Sequence, residues 1–115
     1  MKTQALVPVE EYLRTTYDPD CDYVDGEVIE RNLGDRDHSE PQRNLILFFG
    51  VREKKWNCFV FPEQRLQVKP TRFRVPDVCV YIGAKPSDQV FRTPPFLSIE
   101  ILSPEDRWSR IQQKN

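Results

Sequence analysis

Two apolar runs, Val75-Pro76-Asp77-Val78-Cys79-Val80-Tyr81-Ile82 and Phe96-Leu97-Ser98-Ile99-Glu100-Ile101-Leu102, decide how this chain is read, because each sets one carboxylate among strand-forming residues. An ionised carboxylate in a half-buried strand is costly unless it is paired, hydrogen-bonded or bound to a metal. Strand alternation puts Val75, Asp77, Cys79 and Tyr81 on one face of the first run, and Ser98, Glu100 and Leu102 on one face of the second. If the two runs pair as a hairpin across the 83–95 loop, Asp77 and Glu100 converge and repel, so either one takes up a proton or a divalent cation neutralises both. Mg²⁺ suits such a site, since it needs only one or two carboxylates beside its waters. The competing account is that each carboxylate points to solvent or pairs with one of the many arginines.

The rest of the chain supplies the setting. Val7 to Leu13 predicts a short helix with Pro8 in its first turn and Glu10 and Glu11 near the positive end of its dipole. Cys21 to Glu30 predicts a hairpin turning at Asp25-Gly26, a pair suited to a two-residue turn. Asn32 to Asp37 reads as a polar loop. Ser39, Pro41 and Gln42 then stand at the spacings of a cap, a first-turn proline and a capping-box partner, predicting a helix from there to about Lys55. Cys58 to Phe61 and Arg65 to Val68 predict strands, and Phe73 to Ile82 a longer one in which Pro76 marks an edge or a break in pairing. Gly83 to Pro95 is expected as a loop, Phe96 to Leu102 as the last strand, and Ser103 onward as the start of a helix.

A chain of 115 residues with 30% charged and 38% apolar content is expected to form one compact domain, spanning 1–115. A net charge of −1 gives no overall attraction to a polyanion, so nucleic-acid contact would rest on local basic clusters such as Arg52 to Lys55 and Lys69 to Arg74. The simpler reading of either cluster is a solvated face. Cys21, Cys58 and Cys79 form no CxxC pair and read as reduced, buried thiols. No run approaches a membrane span and no apolar leader follows the start, so no membrane partner is expected and a cytoplasmic location is the default.

Asp25-Gly26-Glu27 after Tyr23, His38 opening the next helix, Arg74-Val75-Pro76-Asp77-Val78, and Glu100-Ile101-Leu102-Ser103-Pro104-Glu105-Asp106-Arg107 follow one another in the order found in the Uma2 (DUF820) family, which this chain resembles from about Val9 to its last residue. That family belongs to the PD-(D/E)xK restriction-endonuclease-like nucleases. The resemblance implies an α/β (α+β) fold with a mixed central sheet flanked by helices, and a phosphodiesterase centre in which Asp77 and Glu100 bind Mg²⁺ or Mn²⁺. It also implies DNA as substrate, Glu27 as a third acidic contributor, and a lysine to offset transition-state charge. The superfamily's lysine two residues beyond the glutamate is Leu102 here; the Uma2 pattern implies Lys114, on the following helix, in its place. By the same comparison the chain lacks the family's last strands, which leaves open a fragment, a homodimer that covers the exposed edge, or an inactive remnant serving as a nucleic-acid-binding or protein-interaction module. From the residues alone, Glu27 is equally a solvated glutamate beside a turn, His38 a helix-entry or loop residue, and Lys114 an exposed helix lysine.

Overall fold

The computed structural model describes residues 5–31 and 36–102, which gather into two compact units. The first comprises Met1–Arg31, Arg65–Val75 and Pro86–Pro94; the second comprises Asn32–Gln64, Pro76–Lys85 and Pro95–Asn115. The helix expected from Ser103 onward, with Lys114 on it, lies outside the described residues.

In the first unit, helix α1 (Val9–Arg14) accompanies an antiparallel sheet ordered β2-β1-β5-β4, formed by β1 (Asp22–Val24), β2 (Glu27–Ile29), β4 (Leu66–Lys69) and β5 (Arg72–Arg74). The β1–β2 hairpin turns at Asp25 and Gly26, both with positive φ (48° and 99°), the backbone that a two-residue turn of this hand demands. Gly26 is fixed twice over, since a Cβ there would also lie 3.1 Å from the Leu6 side chain. Tyr12, Tyr23 and Phe73 form the buried centre, with the Tyr12 and Tyr23 rings stacked at 4.8 Å and the Phe73 ring edge-on to Tyr23. The Tyr12 hydroxyl donates to the Cys21 carbonyl at 2.7 Å, so this deeply buried phenol has its partner.

The second unit holds α2 (Arg36–Gly50), α3 (Glu53–Trp56) and an antiparallel sheet ordered β3-β6-β7, from β3 (Cys58–Pro62), β6 (Val78–Ile82) and β7 (Leu97–Ile99). As the central strand, β6 is paired on both sides and buries Val78, Cys79, Val80 and Tyr81 in succession, which explains a continuous apolar run in place of an alternating one. Burial pushes the Cys79 thiol up to about 11, so it stays a neutral, unreactive filler at physiological pH. Helix α2 packs on β3 and β6. The Glu53 carboxylate of α3 accepts the Val60 N–H at 2.8 Å, satisfying a donor on edge strand β3.

Four expectations change in detail. The helix expected to reach about Lys55 ends at Gly50, and α3 follows as a separate short helix. Phe73 to Ile82 is two strands, not one: Val75-Pro76-Asp77 interrupts the ladder, and β5 and β6 belong to different sheets. Pro76 has no N–H to give a ladder, so the break falls there. Helix α2 begins by Arg36, ahead of the polar segment's expected end, and carries Pro41 inside it. Pro41 stands beyond the first turn, so the N–H that would reach the Asp37 carbonyl is missing, and His38 falls within the first turn. Finally, β7 ends at Ile99, so Glu100 follows the strand. All named strand pairs are antiparallel; the parallel pairing among the described residues is an isolated bridge between Leu66 and Phe91.

Candidate functional site

The site is built where β6 begins and β7 ends. In the β6–β7 ladder Val78 stands opposite Ile99 as the last pair, and Asp77 and Glu100 are the residues immediately beyond it on the two chains. The hairpin that these two carboxylates need in order to approach is therefore present. Their environments differ sharply. Asp77 is 5% exposed, whereas Glu100 lies open to solvent.

Asp77 is held from several directions. Its Oδ2 accepts the Ile101 N–H at 2.7 Å, which ties the carboxylate to the residue following Glu100. Its Oδ1 lies 2.9 Å from Nε2 of His38, and both side chains are more than nine-tenths buried. Its backbone carbonyl accepts the Gln42 side-chain amide at 2.9 Å and the Glu63 N–H at 3.2 Å. The same Gln42 amide donates to Glu63 Oε2 at 3.1 Å, and Glu63 sits with φ of 46° in the bend after β3. His38 and Gln42 are one helical turn apart on α2 and so share a face. That face holds Asp77 by its side chain and by its main chain.

The other expected residues are placed as follows. Glu27 opens edge strand β2 in the first unit and is exposed. Lys114 lies outside the described residues. Leu102, two residues beyond Glu100, is partly buried. His38, which the sequence allows equally as a loop residue, stands directly against the Asp77 carboxylate. Gln42 and Glu63 join the site without having been singled out for it by the sequence. The four-residue spacing from His38 is a visible signal for Gln42; nothing in the sequence marks Glu63.

Among the described residues no group of three His, Cys, Asp or Glu side chains is gathered to hold a metal ion. A hard divalent cation does not need one, since it takes one or two carboxylates and completes its shell with water and phosphate oxygens. The donor set of Asp77 and Glu100, with an imidazole beside Asp77, fits that requirement.

The chain matches the Uma2 family model, described as a putative restriction endonuclease, over residues 9–115. This chain belongs to the Uma2 family. Among solved structures it is similar to a putative nuclease belonging to DUF820 from Anabaena variabilis, with a TM-score of 0.73 and 23% identity over 91% of this chain. The chain spans 63% of the length of that neighbour. That likeness establishes the restriction-endonuclease-like α+β fold. No curated protein matches the chain. No helix among the described residues is long and apolar enough to cross a membrane.

Proposed function

We propose that this Uma2 chain is a metal-dependent DNA endonuclease of the PD-(D/E)xK kind, with Asp77 and Glu100 holding Mg²⁺ or Mn²⁺. The observation that supports this reading is the β6–β7 pairing, with a buried, multiply held carboxylate and an exposed one immediately beyond its last pair. When bound, the cation would polarise a scissile phosphate and lower the pKa of water. The chain's own residues do the rest. Ile101 N–H and the His38 ring orient the Asp77 carboxylate, while Gln42 and the Glu63 N–H fix the main chain that carries it. Glu100, open to solvent, is the member of the pair that substrate can reach. Lys114 as the charge-offsetting ammonium completes the proposal on the strength of the family pattern.

A plasmid-nicking assay tests it. With Mg²⁺ or Mn²⁺ the wild-type chain is expected to nick supercoiled DNA. Because metal assistance contributes several kcal/mol to the barrier, Asp77→Ala and Glu100→Ala should each lower the rate by on the order of a thousandfold. Equal rates for all three proteins would end the nuclease reading. That outcome favours the second reading, a non-catalytic interaction module, which rests on the apolar surface around α2 and α3: Leu47, Phe48, Val51 and Trp56 are 57%, 44%, 76% and 47% exposed.

A further inference from the structure

We propose that the outer face of α2 binds a second copy of this chain, giving a two-fold dimer in which the two α2 helices run antiparallel. The inference is independent of the nuclease reading.

Helix α2 has two faces with different tasks. On the inner one His38 and Gln42 meet Asp77. On the opposite side Asp37, Glu40, Asn44, Leu47, Phe48 and Val51 follow one another at helical spacing, and all are exposed. The second half of that stripe is apolar, and Trp56 of α3 extends it. A continuous apolar patch of this kind is the mark of a surface that a partner covers. The patch is also ordered in advance. The Phe48 and Trp56 rings meet at 6.0 Å, and the Arg52 guanidinium lies 3.9 Å above the Phe48 ring while donating to the Phe48 carbonyl at 2.8 Å. Side chains already fixed in this way lose little freedom on binding.

Gly50 is a second, separate sign. It lies three residues beyond Leu47 and beside Val51, so it borders the same patch. It closes α2 without the positive φ of Gly26 and Gly83, and a Cβ added to it would meet nothing within 4 Å. Nothing inside the chain calls for a glycine here, and a helical glycine is destabilising. The close approach of a helix from another chain does call for one.

The charges along the stripe choose the occupant. Its N-terminal end carries Asp37 and Glu40, whereas beyond its C-terminal end α3 exposes Lys54 and Lys55. Arg43, at the margin, donates to Asn44, and Glu53 is turned inward to the Val60 N–H. A nucleic acid laid along the stripe would be repelled at its acidic end. A second copy laid antiparallel sets acid against base at both ends, with Leu47, Gly50 and Val51 at the crossing. The 15 residues of α2 span roughly 22 Å. One helix face of that length is at the small end of specific interfaces, so association at roughly micromolar concentrations is expected.

Sedimentation equilibrium of the chain across roughly 5–500 µM should show monomer and dimer in exchange. Gly50→Ala should raise the unfolding midpoint in dilute solution, yet weaken the dimer by at least about tenfold. Charge reversal gives the sharper result. The double change Lys54→Glu with Lys55→Glu, and the double change Asp37→Lys with Glu40→Lys, should each be monomeric alone. An equimolar mixture of the two should dimerise, because the reversed ends then complement each other. A wild-type chain that stays monomeric throughout the range overturns the proposal. So does a dimer indifferent to Gly50→Ala and to the lysine reversal, or a mixture that fails to associate. A monomer whose affinity for a short DNA duplex is lost on lysine reversal overturns it in favour of nucleic acid at this face. Should the acidic-end variant fail to fold, Gly50→Ala still decides, since it strengthens the fold while it weakens the dimer.

Discussion

Each unit of the molecule contains an acid beside a basic side chain, half-buried at Asp20 and buried at Asp77, and the two pairs are built for different ends. In the first unit the Arg65 guanidinium donates to both oxygens of Asp20, to the Tyr12 carbonyl at 3.1 Å and to the Thr15 carbonyl at 3.3 Å, and lies 4.0 Å above the Tyr12 ring. Its donors are spent on capping the end of α1 and fixing the segment that follows. In the second unit the Asp77 carboxylate meets one main-chain N–H and one imidazole, and the fixing is done largely through its backbone. A fork of five donors with geometrically matched acceptors is an internal brace. A carboxylate beside an imidazole ring, with an exposed glutamate just beyond the same hairpin, is an arrangement that a hard cation can use.

The largest expected effect breaks the brace. Arg65→Ala takes the guanidinium from the Asp20 carboxylate, which keeps the Cys21 N–H, from the Thr15 carbonyl and from the Tyr12 carbonyl, which keeps the Thr15 N–H, and uncovers the Tyr12 ring; for a half-buried pair such a loss is on the order of 3 kcal/mol. Denaturant titration should show it as a large fall in the unfolding midpoint. Asp77→Asn is the counterpart. The amide oxygen can still accept the Ile101 N–H and the main-chain contacts remain, so the loss comes from the charge beside His38 and should stay at about 1–2 kcal/mol, while the metal binding proposed above should fall away. If Asp77→Asn destabilises as much as Arg65→Ala, the carboxylate is a structural element and the contrast between the two pairs disappears.

An intermediate effect probes the aromatic centre that the brace covers. Tyr12→Phe keeps the ring stack but deletes the hydroxyl that donates to the Cys21 carbonyl, leaving that carbonyl buried without its partner. A loss of roughly 1–2 kcal/mol is expected in the same titration. Burial pushes the Tyr12 phenol well above its ordinary range, so this difference should be constant across neutral pH.

The contrast also explains what the sequence could and could not disclose. Asp25-Gly26 announces its hairpin because turn geometry is a local demand, and Pro76 announces a break because a missing N–H is a local fact. The apolar run at Val78 to Tyr81 marks a central strand for the same kind of reason. The oddity of Asp77 and Glu100 is equally visible, since each stands among strand-forming neighbours. What holds Asp77 is not. Gln42 lies 35 positions away, and it acts on a carbonyl, which every residue possesses. His38 is hidden by the start of α2: with Ser39 taken as the cap, it falls outside the helix, and only a helix beginning by Arg36 with Pro41 inside it sets His38 and Gln42 on one face. Arg65, one arginine among many, carries no local sign that it will cap α1.

The smallest expected effect lies at the hairpin turn, where a surface ion pair offers a third point of comparison. The Asp25 carboxylate accepts from Thr71 Oγ1 at 2.7 Å and from Arg72 Nη2 at 2.9 Å, and these bonds, the Arg72 contact foremost, hold its carboxyl below its ordinary value of 3.8. A carboxyl whose folded pKa is depressed contributes stability that is fully present above its unfolded pKa and is lost as pH falls through the folded one. Asp25→Asn keeps a side chain that tolerates the positive φ of this position but removes the charge. The variant should therefore unfold at slightly lower denaturant than wild type at pH 6, and the two midpoints should draw together as pH drops below about 3.8. The pair is exposed to solvent, so added salt should shrink the gap at pH 6 as well. A gap that persists unchanged in acid or at high salt would mean that Asp25 acts through the shape of the turn alone, and that charge matters in this chain only where, as at Arg65 and Asp77, it is buried.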